Sequence, residues 1–156
     1  MNARHMDTLQ QLRSYVGRRI TKIERLGYEF RGSQDIDNGD LQVWFNGDVL
    51  RFGVCSDGES LRVEEQPWKD PFAAPLSEEN ERYVETHGRS VLVDVSAEPG
   101  FDALIGQPLQ EVLPLVNEFG KLIGVSLHVG PTVVDVHVEF DDLHLTWGDT
   151  GPTWRR

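Results

Sequence analysis

The sequence predicts an α+β fold, in which hairpin-rich antiparallel β structure and a few short helices form two related halves that share one core. Three observations support this prediction. Alternating apolar residues flank Asn46-Gly47, which is the pattern of a type I′ β-hairpin. Ser77 precedes an acidic stretch, as at the capped start of a helix. A partial internal repeat relates residues 7–64 to residues 101–149 across a connector, 65–100.

The composition indicates a single folded domain. The chain has 156 residues, of which 38% are hydrophobic, enough to bury a core and too many for a disordered chain. No apolar run approaches the roughly 18 residues of a membrane span. The single cysteine, Cys55, excludes an intramolecular disulfide and suits a reducing compartment. We therefore expect a cytoplasmic protein that does not bind membranes.

In the first half, apolar residues recur at helical spacing over residues 7–16, which predicts a helix ended by Gly17. Residues 18–25 alternate weakly and leave strand and helix both open. Residues 32–40 are rich in Asp, Asn and Gly, and predict a loop. The apolar face of the helix carries Leu9, Leu12 and Val16.

The two-residue hairpin turn fixes the register of residues 41–52. Val43 faces Leu50 on the core side, and Trp44 faces Val49 on the opposite side. Residues 60–64 predict a third strand.

In the connector, three prolines within residues 66–75 exclude a regular helix or a central strand. The helix capped by Ser77 should end near Gly88. Residues 101–119 allow no firm prediction, because two prolines interrupt their apolar pattern. The remaining strands are expected at residues 91–95, which should be largely buried, and at 122–129, 133–140 and 143–147.

The repeat has two matching parts. Residues 16–23 match 105–112 at a shift of 89 positions, and residues 41–53 match 136–148 at a shift of 95. A six-residue insertion in one half would explain the difference. Chance similarity between two amphipathic hairpins is the alternative explanation.

Charge is distributed unevenly along the chain. Residues 1–34 carry a net charge of +4, and residues 35–154 carry −17. This balance argues against binding nucleic acid through most of the surface, because such binding needs cationic neutralisation of phosphates. It favours association with a basic protein partner. Acidity that serves only solubility is the alternative.

No sequence motif points to catalysis, so we expect neither an enzyme nor a cofactor. A turn at Asp141-Asp142 would place Glu139 opposite His144 on a solvent-facing side of the second hairpin. These side chains could hold a divalent ion, but a cross-strand pair explains them equally and we predict no metal. The solvent-facing set comprises Asp135, His137, Glu139 and His144.

The candidate partner-binding residues lie on the outward side of the first hairpin and next to it. Trp44 has two interpretations. It is core if another element covers this face, and it is an interface anchor if the face is open, since Trp and Arg are frequent among binding hot spots. The candidate set is Trp44, Val49, Arg51, Asp35, Asp37, Asp40 and Trp68.

In general character the chain resembles the small acidic immunity proteins of bacterial polymorphic-toxin systems. The resemblance covers size, the acidic segment 35–154, the single Cys55 and the aromatic candidate Trp44. It implies an inhibitor that masks a basic toxin, such as a nuclease, with an acidic surface and one or two aromatic anchors. Two other hypotheses are a small-molecule or peptide-binding accessory domain with residues 67–75 as a lid, and a metal-dependent enzyme centred on His137 and His144.

Overall fold

The computed structural model describes residues 2–36, 38–72 and 75–149. It confirms the α+β prediction, with antiparallel hairpins in two sheets. Within the described ranges, no helix is long and apolar enough to cross a membrane. The elements in chain order are α1 (Ala3–Arg13), β1 (Lys22–Phe30), β2 (Ser33–Asp35), β3 (Leu41–Phe45), β4 (Asp48–Val54), β5 (Leu61–Glu64), α2 (Glu78–His87), β6 (Arg89–Asp94), a 3₁₀ turn (Phe101–Ala103), β7 (Leu109–Val116), β8 (Leu122–Val129), β9 (Thr132–Glu139) and β10 (Asp142–Asp149).

The first sheet is organised around β1. Its first half pairs with β3 and its second half with β2. β6 pairs with residues 24–29 of β1, which overlap both of those partners, so β6 must occupy the opposite edge of β1. β4 and β5 continue the sheet beyond β3. The order across the sheet is therefore β6-β1-β3-β4-β5, with β2 extending the edge that β3 begins.

The second sheet is a four-stranded meander in the order β7-β8-β9-β10. Because successive strands reverse direction, the β7–β8 and β9–β10 turns lie at the same end of the sheet. Apolar residues from both sheets and from α1 form one hydrophobic cluster, which includes Leu12, Ile23, Leu50, Val125 and Leu143. Each sheet thus buries its apolar face against the other.

A short antiparallel pairing joins the two halves ahead of their meanders. Arg19 and Pro108 form a bridge at its centre. Hydrogen bonds on either side of the bridge repeat about a local two-fold axis that exchanges residue i with residue i + 89. The related bonds are Gly17 N–H to Leu109 O and Gly106 N–H to Ile20 O, both 2.7 Å, and Leu109 N–H to Arg18 O (2.9 Å) and Ile20 N–H to Gln107 O (3.1 Å).

The strand registers extend this correspondence into the sheets. Ile23 pairs with Val43, and its counterpart Val112 pairs with Leu127. β3 and β4 therefore correspond to β8 and β9 at a shift of 84 positions. The predicted match of residues 41–53 with 136–148 differs from this correspondence, because it joins β3–β4 to β9–β10 instead. The division into halves 7–64 and 101–149 stays a prediction from sequence.

Several elements differ from the sequence predictions. α1 begins at Ala3 and ends at Arg13, so Val16 lies beyond the helix and is 42% exposed. The predicted loop over residues 32–40 contains the short strand β2, which pairs with the last residues of β1. β6 is half-buried rather than largely buried, because it lies at the outer edge of the first sheet. Of residues 18–25, which the sequence leaves open between strand and helix, 22–25 form the start of β1, and residues 109–116 form β7 despite Pro114.

The register of the second hairpin also differs from the prediction. The turn is Phe140-Asp141, with φ angles of 52° and 67°, and His144 pairs with His137 instead of Glu139. This register places the fully buried Leu143 opposite Val138 in the core. The residues predicted to face inward and outward still do so. Moving a two-residue turn by one position shifts each cross-strand partner by two positions, and residues two apart in a strand lie on the same face.

The two junction glycines provide a test of the two-fold arrangement. Gly17 has φ of +94° and Gly106 has φ of +81°, and a Cβ at either would contact nothing within 4 Å. Gly17→Ala and Gly106→Ala should therefore each lower the free energy of unfolding by ~1–2 kcal/mol, through backbone strain alone. Urea denaturation measures both variants. A large difference between them would contradict equivalent roles at the junction.

Candidate functional site

The outward face of the first sheet carries a closed ion cluster. Arg62 lies 2.6 Å from Asp40 and 2.8 Å from Glu64, and Arg51 lies 2.7 Å from Glu64. Gly53 makes room for this arrangement, since a Cβ there would collide with the Arg62 guanidinium. Burial raises the pKa of Asp40, while the two arginines oppose that shift. Two of the predicted binding residues, Arg51 and Asp40, are thus partnered within the protein.

A second polar network holds Trp44 on the same face. The Trp44 indole donates to Glu24 Oε1 at 2.6 Å, and Gln42 Nε2 donates to the same oxygen at 3.1 Å. The backbone N–H of Trp68 donates to Gln42 Oε1, so the connector covers this part of the sheet. Val49 is only 4% exposed. The covered-face interpretation of Trp44 therefore agrees with the structure.

The remaining predicted binding residues do not complete a surface there. Asp35 lies exposed on β2, and Asp37 lies outside the described residues. The structure brings together Trp44, Val49 and Arg51 of the β3–β4 pair with Asp40, which precedes β3, and it places the backbone of Trp68 against Gln42 on the same face. That these residues bind a partner stays a prediction.

The two histidines of the second hairpin are cross-strand neighbours. The rings of His137 and His144 are 5.9 Å apart between centroids, and His137 Nε2 lies 3.9 Å from Glu139 Oε2. In the part of the chain that the structure describes, no three His, Cys, Asp or Glu side chains are grouped so that they could hold a metal ion.

The sequence did not reveal a different surface, which lies at the end of the second sheet where the β4–β5 loop meets the β7–β8 and β9–β10 turns. We call it the tip surface and define it as residues 55–60, 117–121 and 139–142. Phe119 is 79% exposed and Phe140 is 88% exposed. The signal in the sequence was Phe119 between Asn117 and Gly120, an apolar residue inside a turn that cannot bury it.

Hydrogen bonds fix the turn that carries Phe119. Asn117 Oδ1 accepts from the backbone N–H groups of Phe119 and Lys121, each at 3.0 Å. The Asn117 N–H donates to the Lys121 carbonyl, also at 3.0 Å. The aromatic ring is therefore presented on an ordered turn.

The β4–β5 loop is fixed in a similar way and is tied to the neighbouring turns. Asp57 accepts from the backbone N–H groups of Glu59 and Ser60, both at 2.9 Å, and these bonds lower the pKa of Asp57. Lys121 lies 2.5 Å from Glu59 and 3.5 Å from Asp57. A Cβ at Gly58 would collide with the carboxylate of Asp141. The three tips thus form one continuous surface.

The tip surface is strongly acidic. It contains six carboxylates and one basic residue, Lys121. Arg4 of α1 lies beside it and points its guanidinium at Cys55 Sγ, 3.7 Å away. The six carboxylates are those of Asp57, Glu59, Glu118, Glu139, Asp141 and Asp142.

The arginines of the first 34 positions, in contrast, are mostly engaged by backbone groups of the protein itself, and Arg25 is the buried one among them. Most of these arginines donate to backbone carbonyl groups, and Arg18 also pairs with Asp48 at 2.9 Å. The bonds are Arg13 to Val112 O (3.1 Å), Arg18 to Phe45 O (2.6 Å), Arg19 to Gly106 O (2.7 Å) and Arg25 to Leu143 O (2.5 Å).

Comparison with known proteins gives no identification: no family model, no curated protein and no solved structure matches this chain.

Trp44→Ala should destabilise the fold, because it removes a half-buried ring and one of the donors to Glu24. We expect a loss of ~2–3 kcal/mol of unfolding free energy, somewhat less than for a fully buried aromatic residue. Trp44→Phe keeps most of the ring but not the N–H, and should cost ~1 kcal/mol. Chemical denaturation compares the two, and an unchanged midpoint for Trp44→Ala would show that the face is open.

The turn of the second hairpin should be open to stabilisation. Phe140 adopts a left-handed conformation that costs a residue with a Cβ about 1 kcal/mol or more, and its exposed ring regains little through burial. Replacing Phe140-Asp141 by Asn-Gly, the pair that forms the first hairpin turn, should raise the unfolding free energy by ~1 kcal/mol.

Phe140→Leu is the matched control for that experiment, because it changes the side chain but keeps the unfavourable backbone conformation. It should leave the urea midpoint unchanged. A loss of stability in the Asn-Gly variant would mean that Phe140 contributes to the fold through packing.

Proposed function

We propose that the protein is a stoichiometric inhibitor that binds and masks a basic protein partner in the cytoplasm, like the immunity proteins that it resembles. The observation that supports this proposal is the separation of charges in the fold. Four arginines of the first 34 residues donate to backbone carbonyl groups of the protein itself, whereas six carboxylates gather at the tip surface around two exposed phenylalanines.

This arrangement suits inhibition by occlusion. An acidic field accelerates encounter with a cationic partner and disfavours acidic competitors. Exposed aromatic side chains then supply the contact area that slows dissociation, as anchors do in other interfaces. Inhibition of this kind needs complementary surfaces and no chemistry on the part of the inhibitor.

The proposal predicts neutralisation of a specific toxic protein. The products of the genes adjacent to the one that encodes this chain would be expressed singly in a bacterial host, with and without this chain. We expect one basic product to stop growth and this chain to restore it. The purified pair should form a one-to-one complex whose association slows markedly between ~0.05 M and ~0.5 M salt, as the screening length falls from ~14 Å to ~4 Å.

Leu50→Asn provides the control, because it preserves every charge but places an amide in the core, where Leu50 is almost fully buried. Loss of rescue in this variant shows that the folded surface is needed, and not merely a polyanion. If no adjacent product is neutralised, or if association ignores salt, the proposed function is wrong.

A further inference from the structure

We propose that the tip surface is the docking site for the basic partner, with Phe119 and Phe140 as its two aromatic anchors. This inference rests on the proposed function and gives that function a location. It differs from the sequence prediction, which placed the anchors around Trp44.

The two phenylalanines are placed to act together. They lie on neighbouring hairpins whose turns are at the same end of the second sheet. Because strands are spaced by ~4.8 Å, the axes of the two hairpins are roughly 10 Å apart. One partner surface of ordinary size can therefore cover both rings.

The Phe119 anchor requires little ordering on binding. The bonds from Asn117 hold the turn of Phe119, and Lys121 links that turn to the Asp57 loop. A surface that is ordered before association loses less conformational entropy on binding, which favours affinity.

A groove with apolar and polar lining lies on the outward face of the second sheet, at the end of β7 that leads to Phe119. It has a volume of about 550 Å³, and its lining includes Leu115, Val116 and Ile123 together with Asp135, His137 and Thr146. Val116, itself 42% exposed, ends the strand that leads into the Phe119 turn. Gly124 leaves room for His137 beside this groove, since a Cβ at position 124 would collide with His137. The groove offers space for a side chain of the partner next to Phe119.

The charge around the anchors identifies the chemistry of the partner. With six carboxylates and one lysine, the rim would repel an acidic surface and attract lysine and arginine. Arginine is the better match, because a guanidinium can bind a carboxylate through two hydrogen bonds and can also stack on a phenylalanine ring. The expected occupant is therefore a folded protein with an arginine- and lysine-rich patch around an apolar centre.

The first test maps the surface with a defined probe. A short synthetic peptide that alternates lysine and leucine would be titrated into the isotope-labelled full chain and followed by ¹⁵N–¹H NMR, with a glutamate–leucine peptide as control. We expect shifts at residues 55–60, 117–121 and 139–142 with the basic peptide only. Shifts centred on Trp44, shifts spread evenly over the surface, or no shifts would overturn the inference.

The second test uses the partner that the neutralisation assay identifies. Phe119→Ser with Phe140→Ser should weaken the complex at least about thirtyfold, the loss typical of hot-spot residues, without lowering the unfolding midpoint. Unchanged affinity in this double variant would overturn the docking site and leave the proposed function standing. If no partner is neutralised, the proposed function fails, and the peptide titration still decides the location.

Two triple variants with the same charge change separate local from general electrostatics. The first, E118Q/E139Q/D142N, removes three carboxylates from the tip surface. The second, E98Q/D102N/E111Q, removes three from the opposite end, where the Phe101 ring packs on Trp147 late in β10 and Glu111 lies early in β7. The first should slow association several times more than the second, and equal slowing would contradict a docking site at the tips.

Discussion

Each half of this protein folds into a meander with one apolar face, and neither meander can bury that face by itself. The short pairing of residues 17–20 with 106–109 holds the two halves at one point, about a local two-fold axis. From that point the registers of β1–β3 and β7–β8 place equivalent apolar side chains in a common core. Burial of these faces is the main favourable term in folding, so the junction matters because it sets which side chains meet there.

The same arrangement determines where the charges lie. Arg13 donates to Val112 O in β7 and Arg25 donates to Leu143 O in β10, so these guanidinium groups from the first half satisfy carbonyl groups of the second sheet. A buried carbonyl without a donor is costly, which gives these arginines a structural role. The excess of acids is then left at the surface, and the β4–β5 loop brings two of them, Asp57 and Glu59, to the turns of the second sheet.

Local signals in the sequence were sufficient for elements that have their own turn or capping residues. Asn46-Gly47 predicted its hairpin and register, and Ser77 predicted the start of α2. Two elements were missed although their partners are adjacent in the chain: Pro114 interrupts the apolar pattern of β7, which pairs with β8, and the polar residues of β2, which pairs with the end of β1, have the composition of a loop. The candidate binding residues around Trp44 stay a prediction, because only the fold reveals that the connector covers the face of Trp44 and that three separate loops converge at the tip surface.

The turn at Phe140-Asp141 was mispredicted because it departs from turn chemistry, and the chain itself supplies the comparison. The first hairpin closes an equally short turn with Asn46-Gly47, residues that tolerate positive φ. The fold therefore does not require phenylalanine at such a position, where it is strained and its ring is 88% exposed. Strain that packing does not repay is concentrated at functional sites in proteins. Phe140 thus has neither a relaxed backbone conformation nor a buried ring in this fold. Contact with another molecule would account for a phenylalanine at this position.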